Sequence, residues 1–183
     1  MNFFYKHLLN RQLKKRVGNP EREKAFQSLN EITTILVLFD VKDYDAANYF
    51  IQKLKKMKKR LTVCAFVPRG YTMEYHETNI NFIYEKGLKI WNDEMMLRTV
   101  SISPGDPFDM AVNFALDDNV YLQYILASVD SPLKAGFYRS SLHIHDLIIS
   151  SPYESEETDD DKLKGLGDQL IFYLRTISSG NKE

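Results

Sequence analysis

The residues best placed to do chemistry are those of Leu116-Asp117-Asp118-Asn119, which follow an apolar run and open a helical pattern. A strand-to-helix junction gathers free backbone N–H groups and carboxylates at one edge of a sheet. Asp40 ends an earlier apolar run, Ile35-Leu-Val-Leu-Phe-Asp40, and joins them if the two runs lie side by side. Three acids so gathered could hold a divalent cation or serve as acid and base. Asp and Asn are also favoured helix caps, and capping is the plainer account.

Other candidates carry less. His143-Ile-His145 sets two imidazoles on one side of an extended segment, a spacing able to chelate zinc. No third ligand accompanies them, because His7 and His76 lie in unrelated segments. Cys64 sits inside an apolar run and reads as a small buried hydrophobe in a reducing compartment. Neither a metal nor a cofactor is expected. The motifs G-x-G-x-x-G, G-x-x-x-x-G-K-[ST] and G-x-S-x-G do not occur. The first strand runs into Asp40-Val41-Lys42-Asp43 instead of a glycine-rich turn, so a phosphate could not approach that backbone closely. Gly165-x-Gly167 falls inside a helical pattern with no strand before it. The aromatics, Tyr121, Tyr124 and Tyr138 among them, stand where a core or a helix–sheet interface wants them.

Four short apolar runs must position these groups. They begin at Ile32, Leu61, Phe108 and His145, and their near-continuous β-branched and aromatic content suits strands buried on both faces. Helical patterns separate them. One runs from Asp43 or Asp45 to about Lys59, one from Asp117 through about Val129, and a last one covers about 160–178. Residues 80–84, 88–91 and 133–138 read as further short strands, 92–97 as a capped helix start, and 103–107 as a turn. Asn19-Pro20-Glu21 reads as a fresh helix start, with Ala25, Phe26 and Leu29 as its apolar side. The alternation predicts an α/β fold, a single Rossmann-like doubly wound sheet of five to six mostly parallel strands. If strand order reverses between the runs ending at Asp40 and Leu116, a crevice opens between them.

Residues 1–18 read as a basic amphipathic helix or arm, with Phe4, Leu8, Leu9 and Leu13 near one stripe, and 19–183 as a single α/β domain. The arm is free to dock on the domain, on a membrane surface, or on a twin subunit as a possible homodimer. At 183 residues, with 44% hydrophobic and 27% charged, the chain has ordinary globular composition. No apolar run approaches the roughly 20 residues of a membrane span. Lys6, His7, Asn10 and Arg11 interrupt any signal-like stretch, so a cytoplasmic location is expected. Residues 1–60 hold 14 Lys and Arg against 6 acids, and the remainder is acidic, a polarity that lets the two parts face one another. The run Lys55, Lys56, Lys58, Lys59, Arg60 reads as a solvated helix end, and no nucleic-acid partner is expected from it.

With the basic N-terminal helix, the Ile35–Asp40 strand and the segment Phe108-Asp-Met-Ala-Val-Asn-Phe-Ala-Leu-Asp-Asp-Asn119 in view, the chain resembles a family of small, uncharacterised Bacteroidetes proteins classed as a domain of unknown function. The resemblance covers nearly the whole chain, implies an α/β fold and supplies no activity. Asn113 stands where the family's strand usually carries its second acid. Residues 108–138, with Lys134-Ala-Gly-Phe-Tyr138, are also similar to the N-terminal lobe of heptosyltransferase-like glycosyltransferases. That likeness implies a lone acceptor-side lobe without a sugar-nucleotide lobe, and adds Gly136 to the candidate ligand-binding set of Asp40, Asp117, Asp118 and Asn119.

The favoured functional expectation is a non-catalytic domain binding a protein partner or small ligand at the sheet's C-terminal edge. An enzyme acting on a sugar or phosphorylated metabolite through the crevice acids is the alternative, and the balance leans away from it. A peripheral membrane or nucleic-acid-associated factor acting through residues 1–17 is the third reading.

Overall fold

The computed structural model describes residues 2–17, 22–72, 78–86, 98, 101–102, 107–138, 142–150 and 157–177. The helix start at 19–21, the elements expected at 88–91 and 92–97, most of the turn at 103–107 and His76 lie outside them. In chain order come α1 (Asn2–Val17), β1 (Thr34–Asp40), a 3-10 turn (Val41–Asp43), α2 (Tyr44–Lys56), β2 (Arg60–Val67), β3 (Asn81–Tyr84), β4 (Met110–Phe114), α3 (Val120–Ser128), β5 (Leu133–Gly136), β6 (Leu147–Ile148) and α4 (Asp159–Thr176).

All six strands run parallel in one open sheet, in the order β3-β2-β1-β4-β5-β6. The doubly wound α/β fold read from the alternation is therefore the fold observed. β1 is central because it is apolar on both faces, with every residue from Ile35 to Phe39 buried. Ile35, Val37 and Phe39 enter one core with α2 and α4, while Leu36 and Leu38 enter a second core with α1 and α3. A parallel strand of this kind needs such double cover, since both its faces are apolar. Cys64 lies in the second core on β2, and burial pushes its thiol up to about 12, as expected of an inert small hydrophobe.

Four local expectations are corrected. The segment 22–28 is a strap without helix or strand, not a helix. Ala25 N–H donates to the Pro132 carbonyl, Leu29 N–H to the Leu174 carbonyl, and the Arg22 guanidinium to Ser131 O and the Asp146 carboxylate. Tertiary partners thus take the Ala25 and Leu29 N–H groups that a helix would have used, and they override propensity. α2 ends at Lys56, not Lys59. Lys58 adopts φ +58°, Lys59 N–H reaches back to Leu54 O, and Lys58 N–H reaches Lys55 O. That is a Schellman stop with lysine in the left-handed position glycine usually takes. Lys59 is no freely solvated cation either: its ammonium donates to the carbonyls of Leu29 and Ile32, and burial lowers its pKa. Finally, His143 and His145 do not share a side. His143 is exposed at φ +50° while His145 is buried, because the left-handed residue breaks the alternation of an extended chain.

The expected strand 133–138 pairs only through Gly136, and 145–150 only at Leu147 and Ile148. α1 packs on α3, where Leu9 and Leu13 are buried with Leu122 and Ile125. The charge polarity of the chain is partly met internally: Lys53 pairs with Asp168, and Arg22 and Lys24 with Asp146. No helix among the described residues is long and apolar enough to cross a membrane.

Candidate ligand-binding crevice

The strand order reverses between β1 and β4, which carry the sequence outward in opposite directions across the sheet. Helices leaving their C-terminal ends fall on opposite faces, so the space between them stays open. A cavity of about 670 Å³ occupies that place. Asp40, Asp117, Asp118 and Asn119 all line it, with Lys42 from the 3-10 turn and Glu85 just beyond β3. α1 supplies Asn10 and Lys14 to the same wall. The arm is thus a wall of the crevice, a role hidden in the sequence because nothing there fixes where the helix docks.

Each acid has its own local reason to be where it is. Asp40 caps the 3-10 turn, accepting from Lys42 N–H at 3.2 Å, and its other oxygen accepts from Asn119 Nδ2 at 3.3 Å. Burial raises its pKa, against the pull of the Lys42 N–H, the Lys42 ammonium and Asn119. Asn119, not either aspartate, is the N-cap of α3: its Oδ1 accepts from Tyr121 N–H and Leu122 N–H. Asp117 stands exposed and holds the Lys42 ammonium at 3.0 Å, a bond that raises the lysine pKa. Asp118 accepts from the Gln123 amide, which also donates to Tyr138 Oη at 3.0 Å. Asp40 and Asp117 thus share Lys42, one through its N–H and the other through its ammonium, while Asp118 is held apart by Gln123. Among the described residues no group of three His, Cys, Asp or Glu side chains is arranged to hold a metal ion.

Beneath Asp118 lies a polar seam around Tyr138, where the sequence predicts core packing. Asn113, fully buried in the centre of β4, donates through Nδ2 to Tyr138 Oη at 3.0 Å. Burial pushes the Tyr138 phenol far above its ordinary value, and the Asp118 carboxylate adds to the shift. His145 stacks edge-on against Tyr138, and burial lowers its imidazole to about 4, so it is neutral near pH 7. Asn113 Oδ1 and both His145 ring nitrogens are buried without a partner among the described residues. Gly136 does not line the cavity. It lies under His145, and a Cβ there would sit 2.5 Å from Nε2. On the opposite wall Tyr121 stacks on Phe66 at 4.9 Å, and its hydroxyl donates to Glu85 at 3.4 Å. Asp43 sits just outside the cavity, and burial pushes its carboxyl up to about 6.

Gln123, Tyr138, Glu85 and Lys14 are the residues sequence reasoning missed. Two left a signal: Gln123 is one turn into the helix that Asn119 caps, and Tyr138 follows β5 at the same sheet edge. The chain belongs to the DUF6913 family, a family of unknown function, whose model matches residues 2–177. No curated protein and no solved structure matches the chain.

Proposed function

We propose that the chain is a non-catalytic α/β domain that binds a small polar ligand, rich in hydroxyl or amino groups, between Asp40 and Asp118. The observation that carries this reading is the 670 Å³ opening at the switch point of the sheet. Its volume is within the range of roughly 300–1,000 Å³ typical of small-molecule sites. The lining holds four carboxylates, Asp40, Glu85, Asp117 and Asp118, against the ammonium groups of Lys14 and Lys42. That balance favours hydrogen-bond donors or a cation over a phosphate-rich anion. In this reading residues 1–18 form an arm that completes one wall of a single domain, 19–183, working in the cytoplasm. Gly136 contributes indirectly, by leaving room for His145 under Tyr138.

An enzymatic reading has one observation of its own. Asp40 is a partly buried carboxyl of raised pKa at the crevice, the property of a general acid or base. The likeness to a glycosyltransferase acceptor lobe belongs with this second reading and gives it a sugar as substrate.

Thermal unfolding with a panel of hexoses, polyamines, sugar phosphates, nucleotides and divalent cations tests both. A hexose or polyamine should raise Tm, and Asp118→Asn should lose that rise while leaving the apo Tm within about 3 °C, since Asn keeps an acceptor for Gln123. Stabilisation by no member of the panel refutes ligand binding. Turnover of a stabilising sugar, lost in Asp40→Asn, replaces the first reading with the second.

A further inference from the structure

We propose that the outer face of α4 is the interface of a two-fold symmetric dimer, in which a second copy of this chain lays its own α4 antiparallel across the first. This goes beyond the crevice and involves none of its residues. α4 is polar at its two ends in opposite senses: Asp159, Asp160 and Asp161 fill the first turn and Arg175 the last. Beside that last turn runs the end of α2 with Lys53, Lys55 and Lys56. An acidic start and a basic finish on one helix make the surface complementary to itself when reversed, which is what a closed two-fold contact requires.

Three further features sit on the same stripe. Phe172 and Tyr173 are 64% and 51% exposed, large aromatic rings left in water by this chain alone. A groove of about 340 Å³ opens at Phe172 and Arg175, with Met57 and Ile171 at its floor and Lys53 and Lys56 beside it. The Arg175 guanidinium rests 3.8 Å from Met57 Sδ and has no carboxylate partner among the described residues. Gly165 lies one side of the helix midpoint, is exposed, and a Cβ there would meet nothing within 4 Å. Glycine weakens a helix interior relative to alanine, and no contact among the described residues requires it.

Antiparallel pairing about the level of residues 167–168 accounts for all of these together. On the flank facing α2, the partner's Arg175 comes level with Asp161, and the partner's Phe172 comes level with Gly165, where the missing side chain leaves room for a ring. The partner's acidic first turn then lies over the groove between Lys56 and Arg175. On the other flank Lys162 comes level with the partner's Tyr173. Leu9 and Leu13 of α1, by contrast, are already covered by α3. A single helix pair buries less than the roughly 800 Å² per partner of a standard interface, so the association is weak and sensitive to salt.

Sedimentation equilibrium of the full chain, run to several hundred micromolar at low salt, should show mass rising from 21.4 kDa toward the dimer. Arg175→Asp and Asp161→Lys should each weaken the association about tenfold or more, since each breaks two symmetric pairs, and the double variant should recover most of it. Gly165→Leu should abolish it while Tm stays the same or rises, a combination that a purely structural role for Gly165 would not give. A strictly monomeric chain overturns the proposal, as does a double variant no better than either single one. A monomer that instead sediments with phosphatidylserine vesicles, and loses this on Phe172→Ala, assigns the face to lipid and equally overturns it.

Discussion

Asp109→Asn should loosen the foot of the sheet by an amount that depends on pH. Asp109 Oδ2 accepts from Thr33 N–H at 2.7 Å, Thr33 Oγ1 at 2.7 Å and Thr34 N–H at 2.8 Å, while Asp109 N–H donates to Thr34 Oγ1 at 3.0 Å. These bonds tie the start of β4 to the start of β1 and so set the register in which Ile35 faces Met110. Burial alone would raise the carboxyl, but the Thr33 hydroxyl and the two N–H donors outweigh it and hold it at about 2, against 3.8 for the free group. A gap of that size converts to roughly 2.5 kcal/mol at neutral pH. Part of the carboxylate faces water, which reduces the expected contribution to about 1–2 kcal/mol. Because the folded value is the depressed one, the contribution is complete above the unfolded pKa and disappears as pH falls from there through about 2. Urea unfolding followed by far-UV circular dichroism should show Asp109→Asn about 1–2 kcal/mol less stable at pH 7 with an unchanged m-value, and the gap should close toward pH 2–3. Equal stabilities at pH 7, or a gap indifferent to pH, would refute the assignment.

Three more outcomes follow from the same physics. His145, neutral in the fold with its pKa at about 4, is protonated more readily when unfolded, so stability should fall as pH drops from about 6.5 to 4, and His145→Gln should flatten that part of the pH profile. Asp146→Ala should cost about 3 kcal/mol in urea unfolding, because it strands the largely buried Arg22 guanidinium, and should make the strap at 22–28 sensitive to protease under native conditions. Lys58→Gly should raise stability by about 0.5–1 kcal/mol, seen as a higher Tm, because the φ +58° of that residue costs lysine more than glycine; an unchanged or lower Tm would contradict the reading of α2's end.

Much of the framework was legible because parallel strands advertise themselves. Leu36 and Val37 must both be buried, on opposite faces, and no amphipathic helix or half-exposed strand tolerates that. The crevice followed from topology once β1 and β4 were neighbours, which placed Asp40 and Asp118 on one opening without any knowledge of side chains. Much of what failed was decided by distant polar partners. Ala25 and Leu29 look helical until the Pro132 and Leu174 carbonyls take their N–H groups. Lys59 looks solvated until two loop carbonyls close over it. Tyr138 looks like core because the ring is nearly buried, and only its hydroxyl, meeting Asn113 and Gln123, shows a polar seam. Periodicity records which face of an element is apolar, and it is silent on which polar group will find which.

The first strand made is also the middle one, and this constrains how the molecule reaches its native state. β1 can find β2 quickly across α2, whereas its other flank waits for β4, whose anchor at Asp109 lies 75 residues from Thr34. Closing so long a loop is entropically slow, and during ribosomal synthesis the β1–α2–β2 unit must stand with one apolar edge unmatched. A circular permutant opened just before β4, with the native ends joined, would lengthen that separation to about 108 residues and should refold more slowly.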